Sequence, residues 1–107
     1  LLLDRGADVN ITGGDYGSAL GAAVSGGENE MVSLLLDRGA DVNITGGYYM
    51  SALGAAAAGG NKEIVSLLLD RGADVNITGG RYGSAIGAAA YQGDKVIVSL
   101  LLDRGAD

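Results

Sequence analysis

The stretch LLLDRGADVNITGG occupies residues 1–14, returns unchanged at 34–47 and 67–80, and its first eight letters open a further copy at 100–107. The period is 33 residues. Set in that register, three blocks agree at 23 of 33 columns. A repetition this strict predicts a stacked array of one supersecondary unit, each copy burying its apolar side against its neighbours.

Working outward from the quoted stretch, punctuation divides the unit into two short helices and a finger. Ser18, Ser51 and Ser84 each precede a run of small apolar residues, and a serine hydroxyl can accept a bond from an orphan backbone N–H, so each is read as the N-cap of a first helix of about two turns. That helix is expected to end near Gly27, Gly60 and Gly93. EMVSLLLDR, EIVSLLLDR and VIVSLLLDR then place apolar residues on one broad helical face, which predicts a second helix closed by Gly39, Gly72 and Gly105. The DVNITGG that follows carries β-branched residues and a Gly pair, and predicts an extended segment that turns tightly.

Composition removes whole classes of function. The 107 residues contain no Cys and no His, so no zinc finger, thiol nucleophile or imidazole base is available, and no cofactor or metal site is expected. A net charge of -6 has the wrong sign for a surface that attracts a phosphate backbone, so nucleic acid is not an expected partner. Five aromatics, all Tyr, leave Leu, Ala, Val and Ile to build a thin-layered core. No stretch approaches the ~18 consecutive apolar residues of a membrane span, and the opening Leu1, Leu2, Leu3, Asp4, Arg5 does not read as a signal peptide. The expectation is a cytoplasmic chain, consistent with its lack of cysteine. The absence of an opening Met predicts a processed protein, a fragment or the ordered part of a longer chain.

A 33-residue unit of helix, turn, helix and finger resembles the ankyrin repeat, on GlyAlaAspValAsn at 39–43 and 72–76, a further copy at 6–10 and a partial one at 105–107, ValSerLeuLeuLeu ahead of it, and the glycines at 27, 60 and 93. The GGxYxSA segment is similar to the fungal variety of these repeats. The resemblance implies an all-α, ankyrin-type solenoid with β-turn fingers: one array over 1–107, made of the end of a preceding repeat (1–12), two repeats (13–45 and 46–78) and a third lacking its last residues (79–107). It also implies that Asn10, Asn43 and Asn76 bridge adjacent loops, since an amide both donates and accepts. The chain departs from the family at the start of the first helix, where Ser-Ala-Leu-Gly or Ser-Ala-Ile-Gly stands in place of Thr-Pro-Leu-His. Something other than that histidine must hold the junction. Gly21, Gly54 and Gly87 should each cost roughly 1 kcal/mol against Ala inside a helix, for which a close backbone approach is the expected reason.

Catalytic readings are weaker than structural ones. ThrGlyGlyAspTyrGlySer at 12–18 looks like a phosphate loop, yet it lacks the GxxxxGK lysine and GxGxxG spacing, and the second copy puts Met50 where a small residue is needed. The three serines have no base beside them, because Lys62 and Lys95 fall on the second helix. Asp4 and Asp8, with their copies, flank an Arg and a turn and read as a solvated, partly neutralised edge of small energetic value. No enzyme is expected.

Recognition remains, and the variable columns point to where. By the resemblance, the columns of Asp15, Gly17, Ser25 and Gly26 face the concave surface of fingers and first helices. The expected protein-binding residues are Asp15, Ser25, Tyr48, Met50, Ala58, Arg81, Tyr91 and Gln92, with Tyr48, Met50, Arg81 and Tyr91 foremost because Tyr and Arg are enriched at interface hot spots. The invariant Tyr16, Tyr49 and Tyr82 read as a ladder along the fingers that also contributes to contacts. The expected function is a non-enzymatic module binding a folded protein or peptide, as part of a longer repeat array. The alternative is a structural protein stacking head to tail with itself, because the two ends, Leu1, Leu2 and Leu3 on one side and Val98, Leu100 and Leu101 on the other, look like cuts through a uniform array.

Overall fold

The computed structural model describes residues 10, 12–14, 17–47 and 51–106. Six helices are seen among them: α1 (Ala19–Ser25), α2 (Asn29–Asp37), α3 (Ala52–Gly59), α4 (Lys62–Asp70), α5 (Ala85–Tyr91) and α6 (Lys95–Asp103). The first helices pack in the order α1, α3, α5 and the second helices in the order α2, α4, α6, so two helical layers run along a body of 41 × 23 × 20 Å.

Local chemistry starts and stops these helices as the spacing requires. Ser18, Ser51 and Ser84 sit in extended backbone, and each Oγ accepts from the N–H of Gly21, Gly54 or Gly87 at 3.0 Å. The second helices are capped by a variable column: Asn61 Oδ1 accepts from Ile64 N–H and Asp94 Oδ1 from Ile97 N–H, both at 3.0 Å, whereas Glu28 makes no such bond at α2. Between the helices the chain reverses through a left-handed residue, as at Gly60 with φ 71°, which favours glycine.

Gly87 shows why a helix-weakening residue is kept at the start of the first helix. A Cβ there would run into the carbonyl oxygen of Tyr82 and lie 3.2 Å from Ser84 Oγ. The loop that carries the finger back therefore presses on the first turn of α5, and the serine cap with this contact holds the junction that lacks a histidine.

The finger departs from the extended segment expected of DVNITGG. Asn43 N–H donates to Asp41 Oδ1 at 2.9 Å and Ile44 N–H to Asp41 O at 3.1 Å, so the segment opens with a turn. The Asp41 carboxylate takes a backbone N–H that a strand would need. Only an isolated antiparallel bridge, Thr45 to Ser51, is formed among the described residues.

Asparagine amides tie one repeat to the next. Asn43 Nδ2 donates to Gly72 O at 3.3 Å while its Oδ1 accepts from Asp74 N–H at 2.6 Å. Asn10 does the same with Gly39 O at 3.2 Å and Asp41 N–H at 2.8 Å, and Asn76 Nδ2 reaches Gly105 O at 3.2 Å. The Asp and Arg that flank each turn also pair between repeats: Arg71 with Asp37 and Arg104 with Asp70, both at 2.9 Å. With side chains from 38% to 62% exposed, each pair is worth under about 1 kcal/mol.

The core is a strip of Leu, Ile, Val and Ala between the layers, with Leu53, Ala57, Ile64, Val65 and Leu68 nearly or wholly inaccessible. Comparing equivalent columns shows which side chains a neighbouring repeat covers. Leu20 and Leu53 are buried but Ile86 is half-buried; Val24 and Ala57 are buried but Ala90 is exposed; Val32 and Val65 are buried but Val98 is half-buried; Leu36 and Leu69 are half-buried but Leu102 is 53% exposed. On the opposite side, Ala19, Ala22 and Met31 are exposed where their later copies are buried.

This corrects the expected end residues. Val98 is more exposed than its copies Val32 and Val65. Leu101 is not: it is fully buried, like its copy Leu68, and belongs to the core. Leu100 is half-buried like Leu34 and Leu67, so no neighbour distinguishes it. Successive helical residues point about 100° apart, so three consecutive leucines face three ways. Leu1, Leu2 and Leu3 lie outside the described residues.

Two stability outcomes follow from these contacts. Asn43→Ala removes both inter-loop bonds at the centre of the ladder and should cost about 1–2 kcal/mol, seen as a fall in the urea midpoint. An unchanged midpoint would show that solvent replaces the amide without loss. Leu101→Lys places an ammonium in the core and should abolish the far-UV helix signal, whereas Leu102→Lys should stay within roughly 0.5 kcal/mol of the parent.

Candidate protein-binding face

The third finger closes through Gly79 N–H donating to Gly83 O at 3.0 Å, which fixes Arg81 and Tyr82 between two anchored glycines. From there Tyr82 folds back toward the end of α5, where its ring centroid lies 4.7 Å from that of Tyr91 with the planes tilted by 30°. The Arg81 guanidinium carbon sits over the Tyr82 ring, 5.5 Å from its centroid. Finger and helix are thus joined by a row of three flat groups. The aromatic pair contributes about 0.5–1.5 kcal/mol beyond its buried area, and the cation over the ring about 0.5–1 kcal/mol at an exposed site.

Tyr82 is half-buried in this row, but Tyr91 remains 70% exposed. A large side chain braced by a second ring and otherwise open to solvent has little side-chain freedom left to lose. In the same column the first and second repeats carry Ser25, which is exposed, and Ala58, which is half-buried. Only the third repeat, among the described residues, raises an aromatic there.

An open groove of about 530 Å³ lies between the turns of the second and third repeats. Ala58 and Gln92, expected from sequence, both line it, together with Gly60, Lys95 and Val96. The structure therefore gathers Ala58, Arg81, Tyr91 and Gln92 along the second and third repeats and leaves Ser25 exposed on the first. Asp15, Tyr48 and Met50 lie outside the described residues, as do Tyr16 and Tyr49.

Sequence reasoning missed two parts of this surface. Tyr82 was read as a ladder residue and proves to be the platform for both Arg81 and Tyr91. Lys95 and Val96 were not assigned to the face, although each stands in a column that varies between copies. That variation was the available signal. It was uninformative alone because Met31, equally variable, stands in a column whose later copies, Ile64 and Ile97, are buried in the core.

Ser18, Ser51 and Ser84, the nucleophile candidates weighed in the sequence, act as helix caps. Each N-cap serine accepts from a backbone N–H. Among the described residues no cluster of acidic side chains could hold a metal ion, and no helix is long and apolar enough to cross a membrane.

A family model described as ankyrin repeats matches the chain in three copies, over residues 1–79 and 20–107. No curated protein matches it. Paired helices in two layers, fingers reversed at glycine pairs and loops bridged by a repeating asparagine agree with that match, and the chain belongs to the ankyrin-repeat family, whose repeats are in general protein–protein interaction modules.

Proposed function

We propose that this chain is a non-enzymatic interaction module that holds a folded protein or peptide against its fingers and first helices. The carrying observation is Tyr91, an aromatic side chain 70% exposed yet braced by Tyr82. Solvent-exposed tyrosine is common, but a tyrosine fixed by a second ring presents its face without having to be ordered by the partner. Such pre-organisation lowers the entropic cost of association. Arg81, Gln92, Ala58 and Ser25 complete the proposed face, with Asp15, Tyr48 and Met50 from the same variable columns.

The test is capture from cell extract on the immobilised chain beside its Arg81→Ala/Tyr91→Ala double variant. Both side chains are exposed, so the circular-dichroism helix signal should be unchanged. Proteins retained by the parent and lost from the variant are the expected outcome. An identical retained set would remove this face from consideration.

A second reading has copies associate head to tail. It is favoured by the face bearing Ile86, Ala90, Val98 and Leu102, whose earlier copies are each more covered by the repeat that follows them. A heterologous contact of this kind does not close on itself and gives an open filament. Light scattering over a roughly hundredfold concentration range should then show growing mass, suppressed by Leu102→Lys. A constant monomer mass would overturn this reading and leave the first intact.

A further inference from the structure

With no Cys, Trp or His in the sequence, the side chains that most readily lose a single electron are the phenols of its five tyrosines. The two methionines are oxidised differently, by taking up oxygen at sulfur. Tyr82 and Tyr91 stand with ring centroids 4.7 Å apart and planes tilted by 30°. In the column of Tyr91 the first two repeats carry Ser25 and Ala58, so that column supplies no second ring for Tyr16 or Tyr49. The pair is also open to a solvent-borne oxidant, since Tyr91 is 70% exposed and Tyr82 is half-buried.

We propose that Tyr82 and Tyr91 are a modification site, at which hydrogen peroxide acting through a peroxidase joins the two rings as dityrosine. The proposal does not depend on what the face binds. Each phenol gives up one electron and one proton and becomes a phenoxyl radical. The two unpaired electrons then form a carbon–carbon bond between ring positions ortho to the oxygens. The hydrogens displaced at those carbons return, through solvent, to the two oxygens and restore both phenols. Two electrons and two protons have left the pair, and they reduce one peroxide to two waters.

Ring contact supplies the second radical as well as the partner. Tyr91 is oxidised first, being the more exposed; Tyr82 then passes it an electron and a proton, and the regenerated Tyr91 is oxidised again. Bond formation requires the rings to move from overlap to edge contact. Tyr91 ends α5 with most of its surface in solvent, and a rotamer change in an exposed side chain takes picoseconds to nanoseconds. A second molecule at micromolar concentration competes poorly with a ring of the same chain, whose effective concentration is roughly millimolar or more. The product pins the third finger to the end of α5.

The test treats the 107-residue chain, at low micromolar concentration, with a haem peroxidase and a small excess of hydrogen peroxide. Trypsin cleavage after Arg81 and Lys95 releases YGSAIGAAAYQGDK, residues 82–95, which holds both rings in one peptide. The expected result is that peptide lighter by two hydrogens, with dityrosine fluorescence and a monomer band on a denaturing gel. Tyr82→Phe and Tyr91→Phe each keep a ring in the stack but have no phenol to oxidise, so each should abolish the lighter peptide. Covalent dimers joined through Tyr91, with Tyr82 unmodified, would overturn the site by showing that the exposed ring couples between molecules. An unmodified 82–95 peptide, under conditions in which free tyrosine is coupled by the same peroxidase, would do so too.

Discussion

A side-chain amide that donates to one backbone group and accepts from another fixes the spacing of this molecule. Apolar contact between repeats is non-directional, and the layers of Ala, Leu and Val would tolerate sliding along the array. Asn43 removes that freedom by bonding Gly72 O and Asp74 N–H at once, and Asn10 does the same one repeat earlier. Because the amide acts on the turn at the root of each finger, it sets the finger as well as the helix pair. Charge pairs between repeats follow the same spacing, but they are too exposed to set it.

The core is compatible with this constraint because its residues are small where helices meet. α3 buries Ala52, Leu53, Gly54, Ala55, Ala56 and Ala57, so neighbouring first helices approach closely and the larger side chains fill the space between layers. A glycine in a helix is normally a weakness. At Gly87 it is required, since the loop carbonyl of Tyr82 occupies the place of a Cβ. The contact that demands glycine also places Tyr82, and through it Tyr91 and Arg81. Local economy at the start of α5 and the row of Arg81, Tyr82 and Tyr91 are therefore one arrangement.

Much of this was legible in the letters. The period, the two helices, the serine caps, the bridging asparagines and the family all follow from repetition and residue chemistry, because each depends on contacts that recur in every copy. The end residues were read less well. Leu101, expected at an end, lies in the core, since a run of three leucines does not reveal which way each points. The finger was expected to run extended into its tight turn, and the carboxylate of Asp41 opens it with a turn instead. Tyr82 was legible as a recurring ring, though not as the support of a second one.

The sequence by itself determined the repeat, its register and the residue types available for recognition, because 33-residue identity and capping chemistry are local and additive along the chain. Only the tertiary structure decided which variable side chains share a surface. Tyr82 and Tyr91 are separated by a helix in sequence and lie ring to ring in space, while Leu100, Leu101 and Leu102 are adjacent in sequence and meet three environments. The direction of a side chain is set by the turn of the helix and by what packs against it, and neither is written in the column where the residue stands.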